Sequence, residues 1–224
     1  MLSREEIQEL AALGVATIYE ASGRKGLVEA GFVRIPEGSR AAGPVFPVLC
    51  AQGDNLGVHA AMAVVHPGEV LVLTMPEPEP VALVGELLVT QAKAKGVAAL
   101  LVDGAVRDAD ELRFLGLPVW ARFVSPRGAR RERVLGLGAP VQVGGVEVRL
   151  GDYLVLDGDG VVVLPKERAR EVLERARERA AREAALRVRF AQGELSVDIY
   201  GLRQELREVL SEVERLRGGG GGDG

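Results

Sequence analysis

The chain has 224 residues, enough for one large domain and short of two comfortable ones. Apolar residues make up 47%, charged residues 27% and aromatics 4%, and the net charge is −4. That balance speaks against a globally basic nucleic-acid binder, and no apolar run reaches the length of a membrane span.

The N-terminal MLSREEIQEL has no basic stretch followed by an apolar one, so it does not read as a signal peptide, and the chain reads as cytoplasmic. Ser3 with Glu6 forms a capping-box pattern, predicting short helices over 3–12 and about 14–23. GFVRIPEG and AAGPVFPVLCA then read as strands broken by Pro and Gly. Cys50, at the end of the second, is the only cysteine; it excludes an intrachain disulfide and reads as a buried core thiol. Residues 53–68 are a loop entering an apolar helix that closes at Pro67-Gly68. A strand follows at 69–74, then the proline-rich loop 75–80.

Two βα steps come next. GELLVTQAKAKG (85–96) predicts a helix over 86–95. A strand from Val97 to Val102 ends at Asp103-Gly104, and Arg107-Asp108 open a helix over 108–115. Residues 118–125 form another strand, and 140–164 a meander of short strands with turns at Gly144-Gly145 and Gly158. A charged helix spans Lys166 to about Gln192, with nine basic and five acidic residues over 166–189. It reads as a solvated helix or a subunit contact. One or two helices fill 195–217, and 218–224 is a Gly-rich tail expected to be flexible. Parallel βα units beside an antiparallel portion predict an α/β chain of β/β/α layering in a single domain over 1–217. The absence of GxGxxG and of a Gly-Lys-Ser/Thr loop gives nucleotide binding little support.

Chemistry concentrates at the two βα turns, because ligands of open α/β sheets bind at the carboxyl ends of strands. The free N–H groups of Glu86, Leu87 and Leu88 at a helix start form an anion site, and Gly85 lets a ligand approach the backbone. A small carboxylate of about pyruvate size would suit it. Asp108 offers one hard oxygen, which is enough for an ion such as Mg²⁺ that keeps most of its water. Arg107 is placed to offset charge on an enolate oxygen. The plain alternative is that Arg107 and Asp108 are surface and capping residues. Asn55, in a glycine-bounded loop, offers donor and acceptor together, or is a simple cap. His59 and His66 have no acidic or Cys partner at ligand spacing and do not read as a zinc site.

The ordered set GDNLGVHAAMAVVHPGEVLVLT, GELLVTQAKAKGVAALLVDGAVRDADELRFLGLPVWAR and LGDYLVLDGDGVVVLP resembles the family of 4-hydroxy-4-methyl-2-oxoglutarate aldolases and regulator of ribonuclease activity A proteins, over about residues 11–205. The resemblance implies a swivelling β/β/α fold and trimers, sometimes stacked as hexamers, with sites between subunits. It places the family's Arg-Asp pair on Arg107 and Asp108, its preceding acid on Glu86 (Asp in the aldolase branch), its carboxylate-binding amides on Leu87 and Leu88, and its loop Asn on Asn55. Acids from a neighbouring subunit fall on Glu20 and Glu183. The implied activity is class II cleavage of a 4-hydroxy-2-oxo acid to pyruvate with Mg²⁺ or Mn²⁺ held by Asp108, accompanied by oxaloacetate decarboxylation. The regulator branch, which binds a ribonuclease or RNA helicase without catalysis, typically lacks the acid of the pair, so Asp108 favours the aldolase.

Overall fold

The computed structural model describes residues 1–218; the remainder of the expected flexible tail, 219–224, lies outside the described residues. In chain order the elements are α1 (Arg4–Ala21), β1 (Val33–Ile35), β2 (Ala41–Cys50), α2 (Leu56–Val64), β3 (Val70–Thr74), β4 (Ala82–Val84), α3 (Glu86–Ala94), β5 (Ala99–Val106), α4 (Ala109–Leu115), β6 (Val119–Val124), β7 (Val134–Leu137), β8 (Val141–Val143), β9 (Val146–Val148), β10 (Tyr153–Asp157), β11 (Gly160–Leu164), α5 (Ala169–Ala191), α6 (Ser196–Ile199) and α7 (Arg207–Gly218). Two compact units result, Met1–Arg179 and the residues from Ala180 onward.

In the first unit, α1 opens with the capping box read from the sequence. Ser3 Oγ accepts from the Glu6 N–H, and a Glu6 carboxylate oxygen accepts from the Ser3 N–H. The helix is broken at Gly14 (φ +80), which separates the two short helices expected there. A side chain at Gly14 would stand 2.8 Å from the Asp157 carboxylate, which accepts from the N–H of Val15. Asp157 thereby caps the second helix from a distant hairpin.

The main sheet runs β1-β6-β5-β3-β2-β10-β11, with β4 also on β5 and β7 also on β2; β8 and β9 form a separate hairpin. β2, β3, β5 and β6 are parallel neighbours, and β10–β11 turn antiparallel at the β2 side. β2 was expected to break at its prolines but runs ten residues. β10 pairs with it through Pro44 and β7 from Val48 on, so Pro47 falls where the partner changes.

Continuous apolar strands need cover on both faces. One face of β3 and β5 (Leu71, Leu73, Leu100, Val102) packs on Val58, Met62, Val89 and Leu112 of α2, α3 and α4. The other face (Val70, Val72, Ala99, Leu101) meets β8–β9 and the curled strands through Val141, Val148, Leu154 and Val161. This is the β/β/α layering. A third cluster joins α1 and the start of α5 to the outer side of β10–β11, using Ala169, Val172, Leu173 and Ala176 at helical spacing. Arg170 and Arg177 of α5 reach Glu6 and Glu9 of α1 at 2.6 Å.

In the second unit, Phe190 and Tyr200 stack edge-on at 6.5 Å and Arg189 pairs with Glu194 at 2.6 Å. Among the described residues no helix is long and apolar enough to cross a membrane.

Candidate functional site

The carboxyl ends of β2, β4, β5 and β6 converge, and the segments leaving them enclose a pocket of about 200 Å³. Asn55 and His59 come from the β2–α2 step, Gly85, Leu87, Leu88 and Gln91 from the start of α3, Arg107 from the end of β5, and Gly128, Ala129 and Arg131 from the loop after β6.

That loop is pinned by Asp54. Its buried carboxylate accepts from the Leu56 N–H at 2.8 Å and the Glu132 N–H at 2.7 Å. Burial would push this acid up. The N–H groups of Leu56, Glu132 and Arg133, with the charge of Arg130, outweigh burial and hold it below the usual carboxylate range. Residues 52–59 and 128–133 are thus fastened together across the pocket.

β5 runs beyond its expected end at Asp103-Gly104 and continues to Val106. An Asp-Gly pair ordinarily signals a turn. Here Arg122 on β6 neutralises the buried Asp103 at 2.5 Å, and Gly104 lets Met75 Cε pack close against the strand, a side chain there coming within 2.7 Å of that methyl. β4, which the sequence reading placed in no element, pairs with this extension through Ala82 and Val84. The consequence is that Arg107 and Asp108 emerge next to the start of α3.

Asp108 sits in the left-handed region (φ 58, ψ 42) at the head of α4 but makes no side-chain bond to that helix. Its Oδ2 accepts from the Glu86 N–H at 3.0 Å, capping α3 instead, where Gly85 supplies no side chain. Arg107 Nε stands 3.5 Å from the same oxygen, and Oδ1 carries no hydrogen bond among the described residues. A side chain at Gly85 would meet Asp108 Oδ2 at 2.5 Å and Arg107 Cγ at 2.9 Å. The glycine is therefore required by close approach, its φ of −140° being ordinary. The amides of Leu87 and Leu88 lie in the first turn of α3 and donate to no acceptor among the described residues.

Asn55 donates from Nδ2 to the Leu83 carbonyl at 2.9 Å, which orients its amide; its Oδ1 is buried with no partner among the described residues. His59 Nε2 is likewise buried without a partner. Burial, then the charge of Arg131, holds the His59 imidazole below its usual range. Neither His59 nor Arg131 was singled out as a site residue from sequence, since the elements carrying them are joined only by folding. His66 lies beyond the end of α2, exposed beside Glu69, so the two histidines share no site. Cys50 is buried, and burial pushes its thiol up to about 12, as fits an inert core residue.

Asp108 borders the pocket through Arg107 and Gly85 without being part of its lining, and the remaining expected residues stand apart from it. Glu86 accepts from Thr90 Oγ1 at 3.0 Å on its own helix. Glu20, on α1, is engaged by Arg24 at 3.1 Å and Arg179 at 3.9 Å. Glu183 lies in the second unit, on α5. Among the described residues no group of three His, Cys, Asp or Glu side chains gathers at metal-binding distance. What the site offers a divalent ion is a single carboxylate oxygen, Asp108 Oδ1. This fits an ion that retains its waters and would not fit a tetrahedral zinc centre.

The RraA-like family, described as Aldolase/RraA, matches residues 15–163. A protein of Halalkalibacterium halodurans, named provisionally as a 4-hydroxy-4-methyl-2-oxoglutarate aldolase, is 32% identical over 164 residues, 73% of this chain and 78% of the relative. Among solved structures, Streptomyces coelicolor RraAS2, described as an unusual member of the RNase ES inhibitor RraA family, superposes with a TM-score of 0.75 at 29% identity, covering 84% of this chain and 100% of the other. The RNA-processing inhibitor RraA of Thermus thermophilus gives a TM-score of 0.60 at 30% identity, over 74% and 94% of the two chains. With its fold, its ordered motifs and two thirds of its length in agreement, this chain belongs to the RraA-like family.

Proposed function

We propose that the protein is a divalent-metal-dependent class II aldolase that cleaves a 4-hydroxy-2-oxo acid, of the 4-hydroxy-4-methyl-2-oxoglutarate kind, to pyruvate, and that it also decarboxylates oxaloacetate. The observation that carries the reading is the placement of Asp108. It caps α3 through Oδ2, keeps Oδ1 available, and stands beside Arg107, which lines the pocket together with Leu87 and Leu88, whose amides are undonated. A purely structural capping residue would have no need of the anion site beside it. The aldolase name of the Halalkalibacterium relative supports the same reading.

The work of each residue follows from this placement. The Leu87 and Leu88 N–H groups, at the positive end of the α3 dipole, bind the substrate carboxylate. Asn55 Oδ1 accepts from a hydroxyl or a water at the substrate. Arg107 offsets the charge that grows on the enolate oxygen as the C3–C4 bond breaks. Arg131 adds a second positive charge at the pocket and suits a substrate with a second carboxylate. Asp108 would hold Mg²⁺ or Mn²⁺, and the ion, when bound, supplies a Lewis acid for the 2-oxo oxygen.

The assembly belongs to the same proposal: a cytoplasmic homotrimer or hexamer in which Glu20 or Glu183 reaches a neighbouring subunit's site. Light scattering that found a fully active monomer would remove it. The relatives described as RNA-processing inhibitors support a second reading, a regulator of a ribonuclease or RNA helicase. One assay separates the two: pyruvate release from a panel of 4-hydroxy-2-oxo acids and oxaloacetate, with Mg²⁺ and with EDTA. Metal-dependent pyruvate supports the aldolase; none from any substrate refutes it.

A further inference from the structure

The family match ends at residue 163, and the whole of the second unit lies beyond it. That unit is largely helical, yet none of its described side chains from Ala180 to Arg217 is buried. Short helices in water owe their stability mainly to the packing of an apolar face. Here the apolar side chains remain in solvent: on α7, Val209 is 62%, Val213 39% and Leu216 71% exposed. A helical segment with no core of its own presents a face that another surface completes.

The spacing of that face says which surface. Leu202, Leu206, Val209, Val213 and Leu216 recur at steps of four, three, four and three. The Leu206 N–H donates to the Leu202 carbonyl and the Leu210 N–H to the Leu206 carbonyl, so the helical path of α7 begins near Leu202. Alternating steps of three and four make the seam of a coiled coil, whose facing row comes from an equivalent helix. Charge favours a copy of the same chain as the source. Residues 180–218 carry seven arginines and seven acids and are electrically neutral. Such a surface offers no field to a nucleic acid or a charged lipid layer, and it does not repel its own copy.

The residues flanking the seam set its direction. Glu205 and Glu212 lie along one side, Leu210 and Arg217 along the other. Antiparallel helices would set these glutamates against those of the copy. Parallel helices set Glu212 of each chain against Arg217 of the other, five positions on. Within one chain Glu212 pairs with Arg215 at 2.8 Å and keeps 54% exposure, so its carboxylate has room for a second arginine. We propose that α7 is a coiled-coil contact between copies of this chain, in which its Leu206–Leu216 face packs in parallel against the same face of a second copy. The contact is independent of the aldolase reading, since it uses no residue of the pocket.

The test is disulfide cross-linking of the full chain under mild oxidation, read on a non-reducing gel. The native Cys50 is buried and does not compete. At a parallel seam the thiols of Val213→Cys meet their own counterparts within disulfide reach. Those of Glu208→Cys, on the far side of the helix, do not. Val213→Cys should therefore form a covalent pair on the order of tenfold faster than Glu208→Cys, because the contact raises the local thiol concentration. Adding Glu212→Arg to Val213→Cys should slow the reaction a few-fold, and adding Arg217→Glu as well should restore it. That restoration reports the pair between chains, because Arg217→Glu does not rebuild the pair of Glu212 with Arg215 inside one chain. Cross-linking of Val213→Cys no faster than of Glu208→Cys, or a charge reversal that Arg217→Glu fails to rescue, overturns the proposal.

Discussion

Asp103 within β5 and Asp108 just past its end stand five residues apart, and each is paired with an arginine in a different way. Asp103 is buried with 4% of its side chain exposed, and Arg122 of the neighbouring strand is held against it at 2.5 Å. Phe32 lies 5.9 Å from the guanidinium and covers it. Each charge is spent on the other. Asp108 and Arg107 are 39% and 46% exposed, and their nearest atoms are 3.5 Å apart. An adjacent-residue pair on an αL turn is held loosely, and it leaves one carboxylate oxygen of Asp108 without a hydrogen bond among the described residues. Residue type does not distinguish the two pairs. Burial and the geometry of the partner do.

The sharpest way to break this contrast is Asp108→Ala. Turnover with Mg²⁺ should fall to background, while stability by chemical denaturation changes by only about 1 kcal/mol, the value of one helix cap. A folded Asp108→Ala protein with unchanged activity would remove the metal site from the proposal. Gly85→Ala leaves the pair in place but drives a methyl into it, 2.5 Å from Asp108 Oδ2. Displacements of this size cost on the order of a hundredfold in rate, and steady-state kinetics with a retained melting transition would show it. Arg107→Lys keeps the charge and loses the planar fork, so kcat should fall by about a hundredfold with a smaller change in KM. Both reactions should decline together, because they share the enolate; loss of only one would make Arg107 a residue that positions substrate.

Asp103→Ala should invert the pattern. Removing the buried partner leaves Arg122 uncompensated, at a cost of roughly 2–3 kcal/mol, reduced from the fully buried case because Arg122 keeps 26% exposure. Activity per folded molecule should be nearly unchanged, and a large kinetic defect at preserved stability would contradict the division of labour. The smallest effect concerns pH. Burial and Arg131 hold His59 below the ordinary imidazole value of about 6.5. The folded chain therefore favours the neutral ring, so stability should decline as the pH falls from about 6.5 toward that lowered value, and Arg131→Ser should make the decline smaller; denaturation midpoints measured across this range check it.

Much of the local structure was legible from residue patterns. The Ser3–Glu6 box, the break at Gly14, the apolar helix after Asn55, the helix after Gly85 and the Gly144-Gly145 hairpin all follow from short-range rules, and folding left them standing. The failures share a cause. β4 is three residues in an apolar stretch after a proline loop, and β7 follows an arginine run with no alternation; each is a strand because a neighbour offers it an edge. β5 overruns its Asp-Gly signal because Arg122 lies opposite.

The sequence by itself determined the family, the α/β character, the order of the elements and the positions where the candidate site residues leave the sheet, since these depend on side-chain periodicity and on motifs a few residues long. Only the tertiary structure decided that Asp108 caps α3 in place of its own helix, that Asp54 fastens the Arg131 loop across the pocket, and that His59 is left with an unpartnered nitrogen there. Each of these joins atoms 22 to 78 positions apart or depends on what surrounds a buried atom. Such relations arise from packing and desolvation, which no short stretch of sequence encodes.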